Sequence, residues 1–473
     1  MKYVPAIGLE VHMQLRTKSK MFCGCQTGFG HPPNTHVCPV CLGYPGAMPV
    51  MNGEAIRYTV MAGLMIGSRI SDYSKFDRKS YFYPDMPKNY QITQYDKPLC
   101  IGGTVQITVG NTIKNVRITR IHLEEDVAKN MHFANSSGID FNRAGVPLME
   151  IVTEPEMESP DEALKFLLSL KRIMEYAGVS DCNLEEGNVR CDVNCSVRPE
   201  GSTTLGTKTE LKNLNTFKGV FHALEYEIQR QLDVVSSGGR VVQETRRWDA
   251  DTGITESMRS KEDAHDYRYF PEPDLAPVVL SPALVEEWKS LLPELPQQRV
   301  DRFVSRYGLP AYDAGVLAAD KGVSDFFEQA ASCSSNYKAL SNWIMTEVLR
   351  HLGETGGTIV DVRAAPGALA ELVDMIDKKA INNTAAKEVL NLMFAHGGRA
   401  ADIVKERGLS QVSDAGEIGT LVDKAIAEQP RSVADYRSGK AAAFQFLVGQ
   451  VMKFSKGKAN AGIVQAMLRE KLG

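Results

Sequence analysis

The chain has 473 residues, 43% of them hydrophobic and 24% charged, with a formal net charge of −4. That length exceeds a single compact core and implies about two or three domains, and the composition excludes wholesale disorder. The small net charge confines any nucleic-acid contact to a local patch. With no signal-peptide pattern and no apolar run near the ~20 residues of a bilayer span, a cytoplasmic protein is expected.

Residues 1 to about 280 are dominated by strand-like runs and turn signals. Ile7, Leu9, Val11, Met13 and Leu15 alternate with Gly8, Glu10, His12, Gln14 and Arg16, the period of a strand, which puts Glu10 and His12 on one face. That pair could hold a divalent cation, or it could be an ordinary solvated strand face. Cys23, Cys25, Cys38 and Cys41 then read C-x-C…C-x-x-C, with Gly24, Gly28, Gly30 and Pro39 supplying tight turns. The spacing predicts a structural tetrahedral zinc in the loop 23–41, against the alternative of unconnected buried thiols. Cys100, Cys182, Cys191, Cys195 and Cys333 are expected as core thiols.

Further along, the basic and aromatic run Lys75 to Tyr83 could neutralise phosphates and stack a base, or be a sheet edge. Val105, Ile107 and Val109, then Gly110-Asn111, Val116 and Ile118 predict a hairpin. Glu124-Glu125-Asp126 close a strand, either buried beside a cation or as a solvated turn. Glu150 stands alone in the apolar run Val146 to Val152, so a partner, a metal or a proton must meet it. Ser159-Pro160-Asp161-Glu162 opens one long helix over about 160–177. The strand from Arg190 to Arg198 puts Arg190, Asp192 and Asn194 on one face and two thiols on the other. Lys208, Glu210 and Lys212 share a face in the next run.

Leu292-Pro293-Glu294-Leu295-Pro296 punctuates the chain, and a helical pattern follows to about 405. Gly408 and Ser413-Asp414 mark a second boundary before a small helical bundle. From Arg431 onward eight Lys/Arg face two Asp/Glu, a local net of +6. Lys453, Lys456 and Lys458 crowd the turn between two amphipathic stripes, which suits a phosphate backbone or a solubilising surface. No phosphate loop, dinucleotide fingerprint or amidase nucleophile signature is present. Any ATP site must therefore be built from strands, cations and metal.

Taken in order, Gly8-Leu9-Glu10-Val11-His12, Lys75 to Tyr83, His122 to Asp126, Asp140 to Pro147, Arg190 to Asn194, Glu244 to Trp248 and Asp266 to Leu275 resemble the B subunit of bacterial-type tRNA-dependent amidotransferases over essentially the whole chain. The resemblance implies an α+β protein: an antiparallel-sheet cradle over 1–290, a helical domain over 291–405 and a small all-α tRNA-binding tail over 406–473. It implies ATP-dependent phosphorylation of the side-chain carboxylate of Glu-tRNA(Gln) or Asp-tRNA(Asn), then displacement of phosphate by ammonia. The ammonia would come from a partner amidase A subunit, in a heterotrimer with a small C subunit. Phosphoryl transfer needs metal and cations. Glu10, His12, Glu125 and Glu150 are then the candidates for magnesium, directly or through water, with His12 suited to a supporting place because magnesium favours oxygen. Lys79, Arg190 and Lys208 are candidates for the phosphates, Asp192 for positioning metal water, and Lys453, Lys456 and Lys458 for tRNA.

Overall fold

The computed structural model describes residues 2–110, 112–184, 186–258, 267–411, 414–455 and 457–473. Asn111 of the predicted hairpin turn, Asp266 at the head of the last quoted motif, Ser413 of the second boundary and Lys456 lie outside them. The chain divides into two compact units, Met1–Leu295 and Pro296–Gly473.

The first unit is built on a ten-stranded sheet. Seven of its strands matter here: β1 (Tyr3–Gln14), β2 (Thr112–Glu125), β3 (Pro147–Thr153), β4 (Val189–Pro199), β5 (Thr209–Lys212), β6 (Glu244–Asp249) and β7 (Ile254–Ser257). They lie side by side in the order β7-β6-β5-β4-β1-β3-β2. Every neighbouring pair among them is antiparallel except β5 and β6, which run parallel. A parallel pair needs a crossover, and α3 (Phe217–Ser236) supplies it. The hairpin partner of β2 is the strand Thr104–Val109.

The odd-numbered residues of β1, from Ile7 to Met13, are fully buried and join Phe166, Leu170, Ala223 and Leu224 in one core. Helix α2 (Pro160–Ala177) supplies the first two. It begins where the sequence predicts: Ser159 Oγ accepts from the Glu162 amide at 3.2 Å, and Gly178 in the left-handed region ends it. Two further helices correct the expectation of a single one before residue 280, namely α1 (Gly53–Met65) and α3.

Among the described residues, the regular structure of the second unit is helical. It holds two separate cores, one around Phe303, Phe327, Leu340, Leu369 and Leu390, the other around Ile418, Val422, Leu447, Val451 and Leu468. Helix Ala441–Phe454 buries the predicted stripe Phe444, Leu447, Val448 and Val451. It stops before the lysine-rich turn, whose Gly457 carbonyl accepts from Asn382 Nδ2 at 2.8 Å. No helix among the described residues is long and apolar enough to cross a membrane. Cys333 corrects the expectation of five core thiols: it is exposed, while Cys100, Cys182, Cys191 and Cys195 are buried.

Candidate functional site

Side chains directly opposite one another on antiparallel strands share a face and sit ~4.5–5.5 Å apart at Cβ. The register therefore writes the site as rows. His122 of β2 lies opposite Glu150 of β3, Glu150 opposite His12 of β1, and His12 opposite Arg190 of β4. Two residues along β1, Glu10 faces Asp192 on β4 and Val152 on β3. All belong to the face opposite the apolar core.

Glu150 meets two imidazoles, His12 Nε2 at 3.2 Å and His122 Nε2 at 3.3 Å. Glu124, on the same face as His122, comes within 3.9 Å of His12 and 3.8 Å of His122. Burial works against a charge on His122, but Glu150 and Glu124 more than offset it and raise its pKa to about 9. For His12 burial is likewise opposed by those carboxylates, and the net shift is upward. Burial also disfavours ionised Glu150, yet the two imidazoles hold its pKa well below the carboxylate range.

One donor atom from each of His12, Glu124 and Glu150 lies within 4.8 Å of the others. Two carboxylates and an imidazole fit a divalent cation. If it is magnesium, its preference for oxygen puts the carboxylates ahead of His12 as direct ligands.

The structure therefore places Glu124 with His12 and Glu150, and it places Glu125 elsewhere. Successive strand residues point to opposite faces. Glu125 turns to the other side, where it pairs with Lys88 and accepts from the Ile92 amide at 2.9 Å. Glu10 stays on the site's face, one step along the strand, and accepts from Asn194 Nδ2 at 2.9 Å. The solvated-turn alternative for the three acids is overturned, since Glu124, Glu125 and Asp126 are all buried.

Asp126 accepts from Arg190 at 2.7 Å and from Gln14 Nε2 at 2.8 Å, with Arg143 at 3.7 Å. Burial disfavours its charge, but the two guanidiniums prevail and hold its pKa below the ordinary value. Arg190 is thus anchored beside the carboxylates. Asp192 receives Lys212 Nζ at 2.7 Å, and Lys212 also meets Glu210 at 3.0 Å.

Lys208 lines a cleft of about 300 Å³ together with Glu10, Asn194, Val152, Pro155 and Leu205. Gly206 shapes its rim: a side chain there would place Cβ 2.1 Å from the Val197 carbonyl oxygen. Lys79 sits on a separate three-stranded sheet, its ammonium 4.8 Å above the Tyr267 ring. Tyr267 meets Tyr269 edge-on at 5.9 Å. Burial, Tyr267 and the charges of Glu124 and Glu150 push the Tyr269 hydroxyl upward, so Tyr269 lies within the field of the acids.

The four predicted zinc thiols converge, with all Sγ atoms within 4.8 Å of one another. Cys41 Sγ accepts from the Cys38 amide at 3.2 Å and from Lys20 Nζ at 3.6 Å. The Cys23 thiol, the Cys38 amide and Lys20 lower the Cys41 pKa to about 4 against the opposing effect of burial. These donors fit zinc. In the second unit Lys453 is exposed at the end of its helix, and Lys458 is half-buried in the turn that follows.

The magnesium candidates drawn from the sequence take Glu125 where the structure puts Glu124, and they leave out His122; Asp126, Arg143 and Lys212 carry no assigned role there. The spacing of His122 and Glu124, two apart on a strand, was the available signal.

A mixed sheet whose polar face groups two acids with imidazoles, beside an anchored arginine and an open cleft, defines an α+β enzyme equipped to hold a cation. The chain belongs to the GatB/GatE family. Residues 5–286 match the GatB/GatE catalytic domain and residues 325–472 the GatB domain. It is 53% identical to the B subunit of the aspartyl/glutamyl-tRNA(Asn/Gln) amidotransferase of Caldicellulosiruptor saccharolyticus, over 100% of this chain and 99% of the relative. Against the protein of the same description from Thermoanaerobacter sp. the identity is 53%, and against that from Trichlorobacter lovleyi 50%, each over 100% of both chains.

Proposed function

We propose that this chain is the subunit of a glutamine-hydrolysing aminoacyl-tRNA amidotransferase that activates and amidates Glu-tRNA(Gln) or Asp-tRNA(Asn). The observation that carries the reading is the row His122–Glu150–His12–Arg190 with Glu124 beside it, in a chain whose relatives bear that name throughout their length. A carboxylate resists attack by ammonia because its charge repels the nucleophile and oxide is a poor leaving group. In the proposed first step a side-chain carboxylate oxygen bonds to the γ-phosphorus of ATP and ADP departs. In the second, ammonia bonds to the acyl carbon, phosphate leaves with the electron pair of the C–O bond, and ammonia's surplus proton passes to solvent.

His12, Glu124 and Glu150 would hold magnesium, which supplies charge neutralisation at the transferring phosphoryl group. Arg190, fixed by Asp126, offers a cation that needs no reorganisation on binding. Lys208 and Glu10 border the cleft, whose apolar wall of Val152, Pro155 and Leu205 suits the nucleoside, with Lys208 reaching the phosphates. Asp192 and Lys212 form the next charged pair along the face, and Lys79 stands beyond the tyrosines.

The division of labour we propose assigns activation to a cradle over 1–290, support to the helices over 291–405 and tRNA docking to 406–473 through Lys453, Lys456 and Lys458. Removing that tail should flatten the salt dependence of tRNA binding by about 0.7–0.9 log units for each phosphate it no longer neutralises. Zinc in the Cys23–Cys41 loop is structural, and an amidase A subunit and a small C subunit complete the heterotrimer.

The test exploits the missing amidase signature. Purified alone, the chain should release no ammonia from glutamine. In a complex whose amidase nucleophile has been replaced, ammonium salt should still support ATP-dependent amidation. Glutaminase activity of the isolated chain, or loss of ammonium-supported amidation, would overturn the assignment.

A further inference from the structure

Lys20 is among the largest fully buried side chains of the molecule, 1% exposed, and none of the chemistry above uses it. Its ammonium sits between two groups: Cys41 Sγ at 3.6 Å and the Phe141 carbonyl oxygen at 3.2 Å. The backbone follows the same course. The Lys20 amide donates to the Cys25 carbonyl at 2.9 Å, and the Met21 amide to the Gly145 carbonyl at 2.7 Å. Gly145, at φ +85°, packs against both partners, since a Cβ there would lie 3.4 Å from Lys20 Cδ and 3.5 Å from Cys41 Cβ. Lys20 therefore joins the thiol loop to the segment 141–145.

That segment leads to the site. Arg143 donates to the Val127 and Ala128 carbonyls at 2.9 and 2.8 Å and flanks Asp126, which anchors Arg190. A few residues on, the same segment becomes β3 and carries Glu150. The lobe of the thiol loop between its two cysteine pairs is tied to the same stretch. The Asn34 amide donates to Asp140 Oδ1 at 3.0 Å, the Phe141 amide to Asn34 Oδ1 at 2.8 Å, and the His36 amide to Asn142 Oδ1 at 2.8 Å.

Charge explains why a lysine is needed. Four thiolates around a divalent zinc carry a net −2, and that excess is costliest at Cys41, the one buried thiol of the four. One ammonium against Cys41 halves the excess, and its second hydrogen bond converts that compensation into a mechanical link. We propose that Lys20 is a positioning residue: it retains zinc in the thiol loop and couples the occupied loop to the Arg143–Asp126–Arg190 array and to Glu150. Zinc loss then loosens the catalytic face instead of only the loop.

The test uses the full chain in its amidotransferase complex, with Lys20→Met, which keeps much of the stem and removes the charge, and Lys20→Arg, which keeps the charge. A small cavity of about 80 Å³ lined by Lys20, Cys41 and Lys88 leaves room for the larger head. Zinc release to a chromogenic chelator and hydrogen exchange over 126–128 and 139–147 are measured alongside kcat and KM for ATP and aminoacyl-tRNA.

Lys20→Met should bind zinc about 10–100-fold more weakly and exchange faster over both segments. Its kcat should fall with little change in KM, and Lys20→Arg should restore all three readouts. Should Lys20→Met fail to fold, chelator-stripped wild type must show the faster exchange, and Lys20→Arg must retain zinc as wild type does. Wild-type zinc retention in Lys20→Met, or zinc loss without faster exchange over 139–147, would overturn the proposal. The kcat arm rests on the function proposed above; the zinc and exchange arms do not, so failure of one reading is distinguishable from failure of the other.

Discussion

Glu150→Gln is expected to lower the rate of ATP-dependent amidation by about a thousandfold while leaving tRNA affinity near that of the parent. Glu150 is the carboxylate shared by His12 and His122, and with Glu124 it supplies the negative charge of the cation site. Gln keeps the shape and loses the charge. Removing charge stabilisation at a transferring phosphoryl group costs several kcal/mol, and about 4 kcal/mol is three powers of ten in rate. Single-turnover ADP formation at saturating tRNA reads the effect. Glu124→Gln should behave alike. Glu125→Gln should not, because Glu125 pairs with Lys88 on the other side of the strand, and its loss belongs in the melting curve. Comparable loss of ADP formation in Glu125→Gln and full activity in Glu150→Gln would reverse this assignment.

The second large effect is on stability. Asp126→Ala leaves Arg190, Gln14 and Arg143 without the carboxylate they share. Breaking a buried ion pair from one side typically costs about 3–5 kcal/mol, to be read by denaturant unfolding of the complex. The pH dependence carries a sign as well. Because the folded pKa of Asp126 lies below its ordinary value, its contribution is complete above about pH 4 and is lost as pH falls through the folded value. The deficit of Asp126→Ala relative to wild type should therefore be largest near neutrality and shrink at acid pH. A deficit independent of pH would mean that packing, not charge, holds the array.

Much of this face is legible in the sequence. The alternation along β1 separates Ile7, Leu9, Val11 and Met13 from Glu10 and His12, and a lone Glu150 among apolar neighbours demands a partner. What alternation cannot supply is register. Along β2 the alternation of Ile121 and Leu123 with His122 and Glu124 turns Glu124 away from the core, but only the pairing of β2 with β3 sets it beside Glu150 and His12. The missed helices have physical reasons too. Helix α1 is apolar on most sides, burying Ala55, Ile56, Val60, Met61, Ala62 and Met65, so it has little amphipathic contrast to read.

Helix α3 buries Glu227 and Gln231 within its inward stripe, which interrupts the apolar period. Those two are stable inside only because Thr209, Thr255 and Arg230 answer Glu227, at 2.9, 3.0 and 2.6 Å, and Gln231 donates to the Cys195 carbonyl at 3.1 Å. Arg230 is a helical neighbour, but no local pattern announces partners as distant as Thr209, Thr255 and Cys195. The four thiols are the opposite case, since C-x-C…C-x-x-C encodes its own convergence.

The central claim is that this chain converts a carboxylate into an acyl phosphate before ammonia arrives, and oxygen-isotope transfer tests it most directly. Glu-tRNA(Gln) or Asp-tRNA(Asn) carrying 18O in the side-chain carboxylate is incubated with the complex, ATP and ammonium, and the inorganic phosphate is analysed by mass. The account predicts one 18O in each phosphate released, formed with ADP in step with the amide, and formed about a thousandfold more slowly in Glu150→Gln. Amide formation with unlabelled phosphate would contradict it, because ammonia would then have displaced something other than a phosphorylated carboxylate.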